Sequence, residues 1–215
     1  MTATLQRQPR LLSIEGGEGA GKSTVLSALR EALLADGHEV VSTREPGGTP
    51  LAERIRELLL GGSGEPVHAE TELLLMFAAR AQHVREVVLP ALQRGAWVIS
   101  DRFTDSSYAY QGAGRGLDEA FIATLEQKVV GIEPGLTLLL DLDVRVGRAR
   151  ANGRDLWPDR IESEQDDFFE RVREGFRKRA MDEPERFRVI DASQSPAAVA
   201  ASVSFAVTQW LQGAA

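Results

Sequence analysis

The stretch Leu11 to Thr24, LLSIEGGEGAGKST, decides the fold. Its first half is apolar, as expected of a buried strand, and its second half is a glycine-rich turn that leads into a helix. The turn matches GxxxxGK[ST], in which backbone N–H groups and the positive end of a helix hold phosphate. The flanking strand and helix patterns disfavour an ordinary glycine-rich turn. The predicted nucleotide-binding residues are Gly16, Gly17, Glu18, Gly19, Ala20, Gly21, Lys22, Ser23 and Thr24.

The composition fits one ordinary α/β domain. With 215 residues, of which 43% are hydrophobic and 27% charged, the chain can bury a normal core. Cysteine is absent, which excludes disulfides and thiolate metal sites and favours a reducing, cytoplasmic environment. No apolar run approaches the length of a membrane span, and residues 1–9 are expected to form a frayed tail. The net charge of −7 argues against nucleic acid as a partner.

Short apolar runs alternate with amphipathic helical patterns along the rest of the chain. The further strand candidates are HEVVSTR, AWVISD, LTLLLDLD and FRVIDA. Helices are expected between them, with a break near Pro90, whereas RFTDSSYAYQGAGRGL is expected to form a loop and a short helix. Because no repeat or linker divides the chain, residues 1–215 are predicted to form one domain with a doubly wound parallel sheet of five strands.

Polar residues follow the strand candidates, where an open α/β sheet binds its ligands. Arg44 and Glu45 follow the second strand, although a surface ion pair would explain them equally well. Asp101 closes an apolar strand as a Walker B acid does, although such an aspartate can also cap a helix. Lys22 is expected to bridge the β- and γ-phosphates of ATP. Ser23 and Asp101 are the candidate ligands of Mg²⁺.

Several motifs then coincide in chain order: IEGGEGAGKST, TREPGGT, FAAR, DRFTDSSYAYQG and DRIE. Together they resemble bacterial thymidylate kinases over nearly the full length, and DRFTDSSYAYQG is the most specific of them. The resemblance implies a P-loop NTPase-type fold, transfer of the γ-phosphoryl group of ATP to dTMP with Mg²⁺, and a homodimer. It also implies that residues 147–162 form a short arginine-rich lid over ATP, although a solvated basic helix face would explain their charge.

The same resemblance assigns roles to individual residues. Glu18 would face the 3′-hydroxyl of dTMP, while Arg102 and Arg44 would hold its phosphate. Tyr110 would crowd the 2′ position of the sugar and so disfavour ribonucleotides. The thymine base would be recognised by Arg80, Ser107 and Gln111.

Two assignments stay open within the resemblance. Thymidylate kinases usually place a phenylalanine four residues before the base-binding arginine, where this chain has Met76, followed by Phe77. Either side chain could pack on thymine. The arginine that approaches the transferred phosphate is also undecided, because residues 153–158 are longer than is typical of the family. The arginines of this stretch are Arg148, expected at the nucleotide, Arg150 and Arg154, expected in catalysis, and Arg160.

Other classes fit the sequence less well. Another nucleoside monophosphate kinase would have no reason to carry DRFTDSSYAYQG. A GTPase switch is disfavoured because the chain has no [NT]KxD motif and no DxxG after its second strand. An ATPase that acts on nucleic acid is disfavoured by the acidic charge balance. Residues 71–89 and 117–130 are candidates for the dimer surface, but burial in the core explains their apolar character equally well.

Overall fold

A computed structural model describes residues 5–61, 64–151 and 160–213. Its strands are β1 (Gln6–Gly16), β2 (Val40–Arg44), β3 (Trp97–Asp101), β4 (Ile132–Asp141) and β5 (Phe187–Asp191). They form one sheet in the order β2-β3-β1-β4-β5, and every neighbouring pair is parallel. The predicted doubly wound, five-stranded parallel sheet is thereby confirmed.

Helices connect the strands and cover the sheet. They are α1 (Lys22–Ala35), α2 (Pro50–Leu60), α3 (Ala69–His83), α4 (Leu89–Gln93), α5 (Thr104–Ser107), α6 (Glu119–Leu125), α7 (Val144–Ala151), α8 (Asp166–Asp182) and α9 (Pro196–Gly213). Three π-helical segments, Val84–Val88, Tyr108–Gly114 and Glu126–Val130, continue α3, α5 and α6. Among the described residues, no helix is both long and apolar enough to cross a membrane.

Three local expectations need correction. The helical stretch does not break near Pro90, because this residue lies in the first turn of α4, where its missing N–H is tolerated. The segment RFTDSSYAYQGAGRGL is helical from Thr104 to Gly114, so its helical part is longer than the expected short helix. Residues 6–9 are not frayed, because they belong to β1, in which Gln6 to Gln8 pair with β4; residues 1–4 lie outside the described part.

Side chains of β1 alternate between the two faces of the sheet, as the period of two requires. Leu12 and Ile14 pack in the apolar cluster that includes residues of α1 and α9. Leu11 packs in a second cluster, which includes Leu73 of α3 and Val98 of β3. Because β1 is central and apolar on both faces, its carboxyl end and the loop that follows are held at a fixed place above the sheet.

The register brings the ends of three strands together. Ile14 lies opposite Asp101, and Asp101 also lies opposite Arg44. The residues that follow these strands therefore meet at the carboxyl edge of the sheet, beside the start of α1. This edge is where ligands bind in open α/β sheets.

Candidate active site

The phosphate loop joins β1 to α1. Gly16, Gly19 and Gly21 have φ values of +140°, +68° and +91°, a region that glycine adopts without strain. The Lys22 ammonium donates to the carbonyl oxygens of Gly16 and Gly17 at 3.2 and 2.9 Å. The loop is thus already wrapped around the lysine, with the first turn of α1 directly behind it.

A cleft of about 260 Å³ opens beside this loop. Its walls come from the phosphate loop, the end of β2, α2, α3, the end of β3 and the π-helical segment Tyr108–Gly114. The cleft brings together these residues predicted from the sequence: Glu18, Gly19, Ala20, Gly21, Lys22, Ser23, Arg44, Met76, Arg80, Asp101, Arg102, Ser107, Tyr110 and Gln111. Of the residues predicted in the phosphate loop and in α3, Gly16, Gly17, Thr24 and Phe77 do not line this cleft.

Arg102 stands between the phosphate loop and the rest of the cleft. Its backbone has φ of +70°, uncommon for a residue with a side chain, and is fixed by a bond from Arg102 N–H to the Ile14 carbonyl at 3.0 Å. The guanidinium donates to the Gly16 carbonyl at 3.0 Å, to Glu18 Oε1 at 2.9 Å and to Tyr110 Oη at 3.1 Å. The positive charge is therefore directed at the phosphate loop.

Charges around Arg102 control the ionisation of its neighbours. Burial opposes ionisation of Glu18, but Lys22 and Arg102 outweigh it, so the Glu18 pKa lies below its ordinary value. Burial, together with the charge of Arg102, lowers the pKa of Lys22. Burial likewise raises the pKa of the Tyr110 hydroxyl. Glu18 is thus an anion and Tyr110 a neutral hydroxyl at neutral pH.

The segment that carries Arg102 is held from behind by Glu15 of β1. Phe103 N–H donates to Glu15 Oε1 at 2.7 Å, and Ser106 Oγ donates to Glu15 Oε2 at 2.6 Å. Burial, with the nearby charge of Asp105, raises the pKa of Glu15 to about 8. Asp105 itself forms an ion pair with the buried Arg186 at 2.7 Å. A buried polar network therefore fixes the turn after β3.

Asp101 lies at the end of β3, beside the phosphate loop. Its Oδ1 atom is buried and has no hydrogen-bond partner within the described part of the chain. A buried carboxylate oxygen without a donor is costly unless a ligand satisfies it. In residues 5–61, 64–151 and 160–213, no group of three or more His, Cys, Asp or Glu side chains could hold a metal alone. The donor set suits Mg²⁺, which uses one or two protein ligands together with phosphates and water.

Arg80 of α3 occupies the opposite end of the cleft, where it makes three hydrogen bonds. It donates to Glu45 Oε2 at 2.5 Å, to Ser107 Oγ at 3.0 Å and to the Phe103 carbonyl at 3.1 Å. His83 Nδ1 lies 2.9 Å from the other oxygen of Glu45. Burial opposes ionisation of Glu45, but the Arg80 charge outweighs it and lowers the Glu45 pKa. This end of the cleft is a preformed, buried ion pair.

The structure distinguishes between Met76 and Phe77. Met76 is partly buried and lines the cleft, whereas Phe77 is only 2% exposed and packs in the core with Leu73 and Val84. The Arg80 guanidinium carbon lies 4.7 Å from the centre of the Phe77 ring, so the ring supports the arginine. Phe77 therefore belongs to the core behind Arg80, and of the two side chains only Met76 faces the cleft.

None of the described arginines of the 147–162 stretch lines the cleft. Arg148 donates to the Glu164 carbonyl at 2.6 Å, and Arg150 donates to the Ala192 carbonyl at 3.1 Å. Arg160 donates to the Leu59 carbonyl at 2.9 Å and pairs with the buried Glu72. The predicted Arg154, like half of the proposed lid, lies outside the described residues.

Several residues of the cleft were not predicted. Arg56 of α2 lines it and donates to the Pro46 carbonyl at 3.0 Å, and Glu45 and Pro46 line it as well. Leu60, Ile161 and Glu162 complete that side. The motif TREPGGT indicated that this turn carries ligands, but nothing in the local pattern of α2 distinguishes Arg56 from its charged neighbours.

The loop between β1 and α1 forms a phosphate site at the carboxyl edge of a parallel sheet, and a cleft lined by cationic side chains lies beside it. This combination defines the class of the protein as a P-loop kinase of small substrates. The family model described as "Thymidylate kinase" matches residues 14–203. A thymidylate kinase of Alkalilimnicola ehrlichii is 54% identical over 209 residues, covering 95% of this chain and 96% of that relative. A thymidylate kinase of Pseudomonas fluorescens is 60% identical over 184 residues, covering 85% and 87%.

The fold is matched as well. A crystal structure of thymidylate kinase from Ehrlichia chaffeensis is similar with a TM-score of 0.74 and 32% sequence identity, covering 94% of this chain and 99% of that one. The chain belongs to the thymidylate kinase family. Its reaction is accordingly that of a dTMP kinase, with ATP as the co-substrate.

Proposed function

We propose that the cleft binds dTMP along its length, with the base between Arg80 and Gln111 and the phosphate beside Arg102. The observation that carries this proposal is the continuity of the cleft, which runs from Lys22 in the phosphate loop to Arg80. One substrate can therefore lie in the cleft with its phosphate pointing at the ATP cradle. Arg44 and Arg56, which also line the cleft, add positive charge on the side of the dTMP phosphate.

The transfer itself needs alignment and charge stabilisation more than covalent catalysis. Phosphoryl transfer passes through a loose transition state, and an oxygen of the dTMP phosphate is the nucleophile. Lys22 and Arg102 both donate to the Gly16 carbonyl, so both cations converge on the start of the loop. Phosphate oxygens carry more negative charge than this carbonyl and would replace it as the acceptor.

Glu18 orients the sugar in this proposal. Its carboxylate is held by Arg102 at 2.9 Å and by the Tyr110 hydroxyl at 3.3 Å. As an anion it accepts a hydrogen bond, which suits the 3′-hydroxyl of dTMP. The buried ring of Tyr110 lies beside this position and would exclude a 2′-hydroxyl. We therefore expect strong preference for dTMP over UMP, and equal kcat/KM for the two would contradict the assignments of Tyr110 and Glu18.

Mg²⁺ is assigned to Ser23 and Asp101. Ser23 lies in the first turn of α1 and lines the cleft, and Asp101 contributes the buried oxygen that has no donor among the described residues. When bound there, Mg²⁺ would neutralise charge on the ATP phosphates. Independently of the metal, Asp101 helps to keep Lys22 and Arg102 charged.

The arginine-rich stretch is proposed to close over ATP. Arg148 and Arg150 are bonded to carbonyl oxygens of Glu164 and Ala192, so they hold α7 and its surroundings together. Arg150 and Arg154 are the two candidates for the transferred phosphate that the resemblance implies. Alanine variants of Arg150 and Arg154, compared for kcat at saturating ATP, would decide between them, and the variant with the larger loss in kcat identifies the catalytic arginine.

An assay of ADP release with each nucleoside monophosphate in turn tests the proposal. The expected result is release with dTMP that greatly exceeds release with AMP, CMP, GMP or UMP. Equal activity on another monophosphate would indicate a different monophosphate kinase. Hydrolysis of GTP without dTMP would favour a switch protein, and stimulation by DNA would favour a nucleic-acid ATPase.

We further propose a homodimer that acts in the cytoplasm. The absence of cysteine from the sequence suits a reducing compartment. Leu74 of α3 and Phe121 of α6 are 50% and 39% exposed, so the two helices proposed for the dimer surface do present apolar side chains. Sedimentation of the protein and of a Leu74→Glu variant tests the dimer; a monomeric mass for the unmodified protein would reject it.

A further inference from the structure

A buried carboxylate, Glu72 of α3, lies behind the base end of the cleft, the end that Arg80 and Gln111 line, and the proposed mechanism does not use it. Glu72 is 1% exposed and accepts a hydrogen bond from Gln111 Nε2 at 2.8 Å. Its Oε2 atom is also bonded by Arg160 Nη2 at 2.5 Å and by Arg115 Nη2 at 3.1 Å. One carboxylate thus joins a proposed base-contacting amide to two arginines outside the cleft.

The charge of Glu72 fixes which way the Gln111 amide points. Burial opposes ionisation of Glu72, but the hydrogen bonds from Gln111 and Arg160 outweigh it and lower the Glu72 pKa. An ionised carboxylate only accepts hydrogen bonds, so the amide nitrogen of Gln111 must face it. The amide oxygen must then face the other way, and Gln111 Oε1 is indeed buried without a hydrogen-bond partner within residues 5–61, 64–151 and 160–213.

The direction of this amide matters because Gln111 lines the cleft. Thymine carries a hydrogen-bond donor at N3 and an acceptor at O4, whereas cytosine carries an acceptor at N3 and a donor at N4. An amide oxygen that faces the base suits the N3–H of thymine and repels the N3 lone pair of cytosine. The reversed amide would favour cytosine at this position.

We propose that Glu72 is a specificity-determining residue that acts through Gln111: it holds the amide with its oxygen towards the base and so selects thymine over cytosine. This inference rests on the proposed binding of the base at Gln111. Glu72 is a positioning residue, since Gln111 stands between it and the cleft.

Glu72→Gln is the decisive variant because it reverses the chain of hydrogen bonds. Two arginine nitrogens donate to Oε2 at 2.5 and 3.1 Å, whereas the only arginine contact of Oε1 among the described residues is the longer one from Arg115 Nε at 3.4 Å. The amide oxygen of the new side chain would therefore occupy the Oε2 position, and its NH₂ group would face Gln111. Gln111 would then turn its oxygen to this donor and its nitrogen to the base. We expect the ratio of kcat/KM for dTMP to that for dCMP to fall about tenfold, because a buried polar group is left mismatched.

Glu164→Gln provides a matched control. Glu164 Oε1 accepts from the same Arg115 at 2.6 Å, but its carboxylate has no contact with Gln111. This variant should keep the dTMP-to-dCMP ratio of the unmodified protein. An equal fall of the ratio in Glu164→Gln would assign the effect to Arg115 and overturn the proposal.

The remaining outcomes are also decisive. An unchanged ratio in Glu72→Gln, or an equal loss of activity on both substrates, would show that Glu72 only supports the fold. Gln111→Leu tests the base site separately: an unchanged ratio in that variant would mean that Gln111 does not contact the base. Should Glu72→Gln fail to fold, Glu72→Met combined with Arg160→Met removes the acceptor together with one of its cations. The Gln111 amide is then free to turn, and the ratio is again expected to fall.

Discussion

The two ends of the cleft differ in how their cations are satisfied. At the base end, Arg80 and its partner Glu45 are buried together and further fixed by Ser107 and His83. At the phosphoryl end, Lys22 donates to two backbone carbonyls, and Arg102 shares its donors among a carbonyl, a hydroxyl and Glu18. Phosphate can replace the neutral carbonyl oxygens as the acceptor for Lys22 and Arg102. It does not replace the buried Glu45 carboxylate as the partner of Arg80. The base end is therefore prearranged, and the phosphoryl end exchanges partners during the reaction.

The largest effect is expected from Lys22→Ala at the phosphoryl end. Removing a charge that stabilises the transition state should lower kcat about 10³-fold, because such electrostatic contacts are worth that much in phosphoryl transfer. The dissociation constant for dTMP, measured by calorimetry, should change little. Lys178→Ala is the control, since that side chain is exposed and pairs with Glu119 and Asp182. If Lys22→Ala weakened dTMP binding as much as it lowered kcat, the two ends of the cleft would not have separate roles, and the proposed difference between them would be wrong.

Arg80→Met should disrupt the ion pair at the base end of the cleft and also lower the free energy of unfolding. It leaves the Glu45 carboxylate buried beside His83 without its main partner. Breaking such a buried pair from one side costs about 3–5 kcal/mol of unfolding free energy. Urea denaturation measures this cost, and Arg94→Met, which breaks an exposed pair with Glu39, should cost less than about 1 kcal/mol. Equal small costs for both variants would mean that the base end is not prearranged.

A smaller effect is expected where α7 touches the phosphate loop. A Cβ atom on Gly147 would lie 2.4 Å from the Glu18 carbonyl oxygen, so Gly147→Ala must displace the loop. We expect about a tenfold rise in the KM for ATP, since a displacement of this size disturbs the phosphate contacts. Val146→Ala, at an exposed neighbouring position, is the control. If both variants leave the KM unchanged, the loop is less rigid than this contact implies.

The smallest expected effect is on the pH dependence of the free energy of unfolding. The folded Glu45 pKa lies below the ordinary value of 4.5, so its ionisation stabilises the protein above pH 4.5. That stability is lost as the pH falls below 4.5 through the folded pKa, by at most about 1.4 kcal/mol per pH unit for one group. Unfolding free energies measured between pH 3 and 6 should fall more gently in Glu45→Gln than in the unmodified protein. Equal slopes of unfolding free energy against pH in the two proteins would contradict a lowered Glu45 pKa.

Local sequence patterns predicted the phosphate loop and the sheet because each depends on residues close in the chain. The residues at the other end of the cleft, Arg80, Ser107, Tyr110 and Gln111, were predicted from the resemblance to thymidylate kinases. Lys22, Asp101 and Arg102 lie next to strand ends, and strand ends converge whatever the loops do. Met76 and Phe77 could not be separated from the sequence, because adjacent positions of one helix are assigned to core or cleft only by packing.

The contacts that no pattern predicted join distant elements. Glu45 meets His83, which is 38 residues away, and Glu72 meets Gln111, which is 39 residues away. Neither pair has a spacing that a helix or strand would produce, so the sequence offers no sign of them. They become visible only when α3 is placed against β2 and the π-helical segment Tyr108–Gly114.

Glu15, on the central strand β1, couples folding to the binding of a proton. With its pKa raised to about 8, its carboxyl group keeps a proton at pH 7 that the unfolded chain has released. Glu15 should therefore contribute the uptake of a proton from the buffer when the protein folds at neutral pH. Calorimetric heats of unfolding should accordingly depend on the ionisation enthalpy of the buffer.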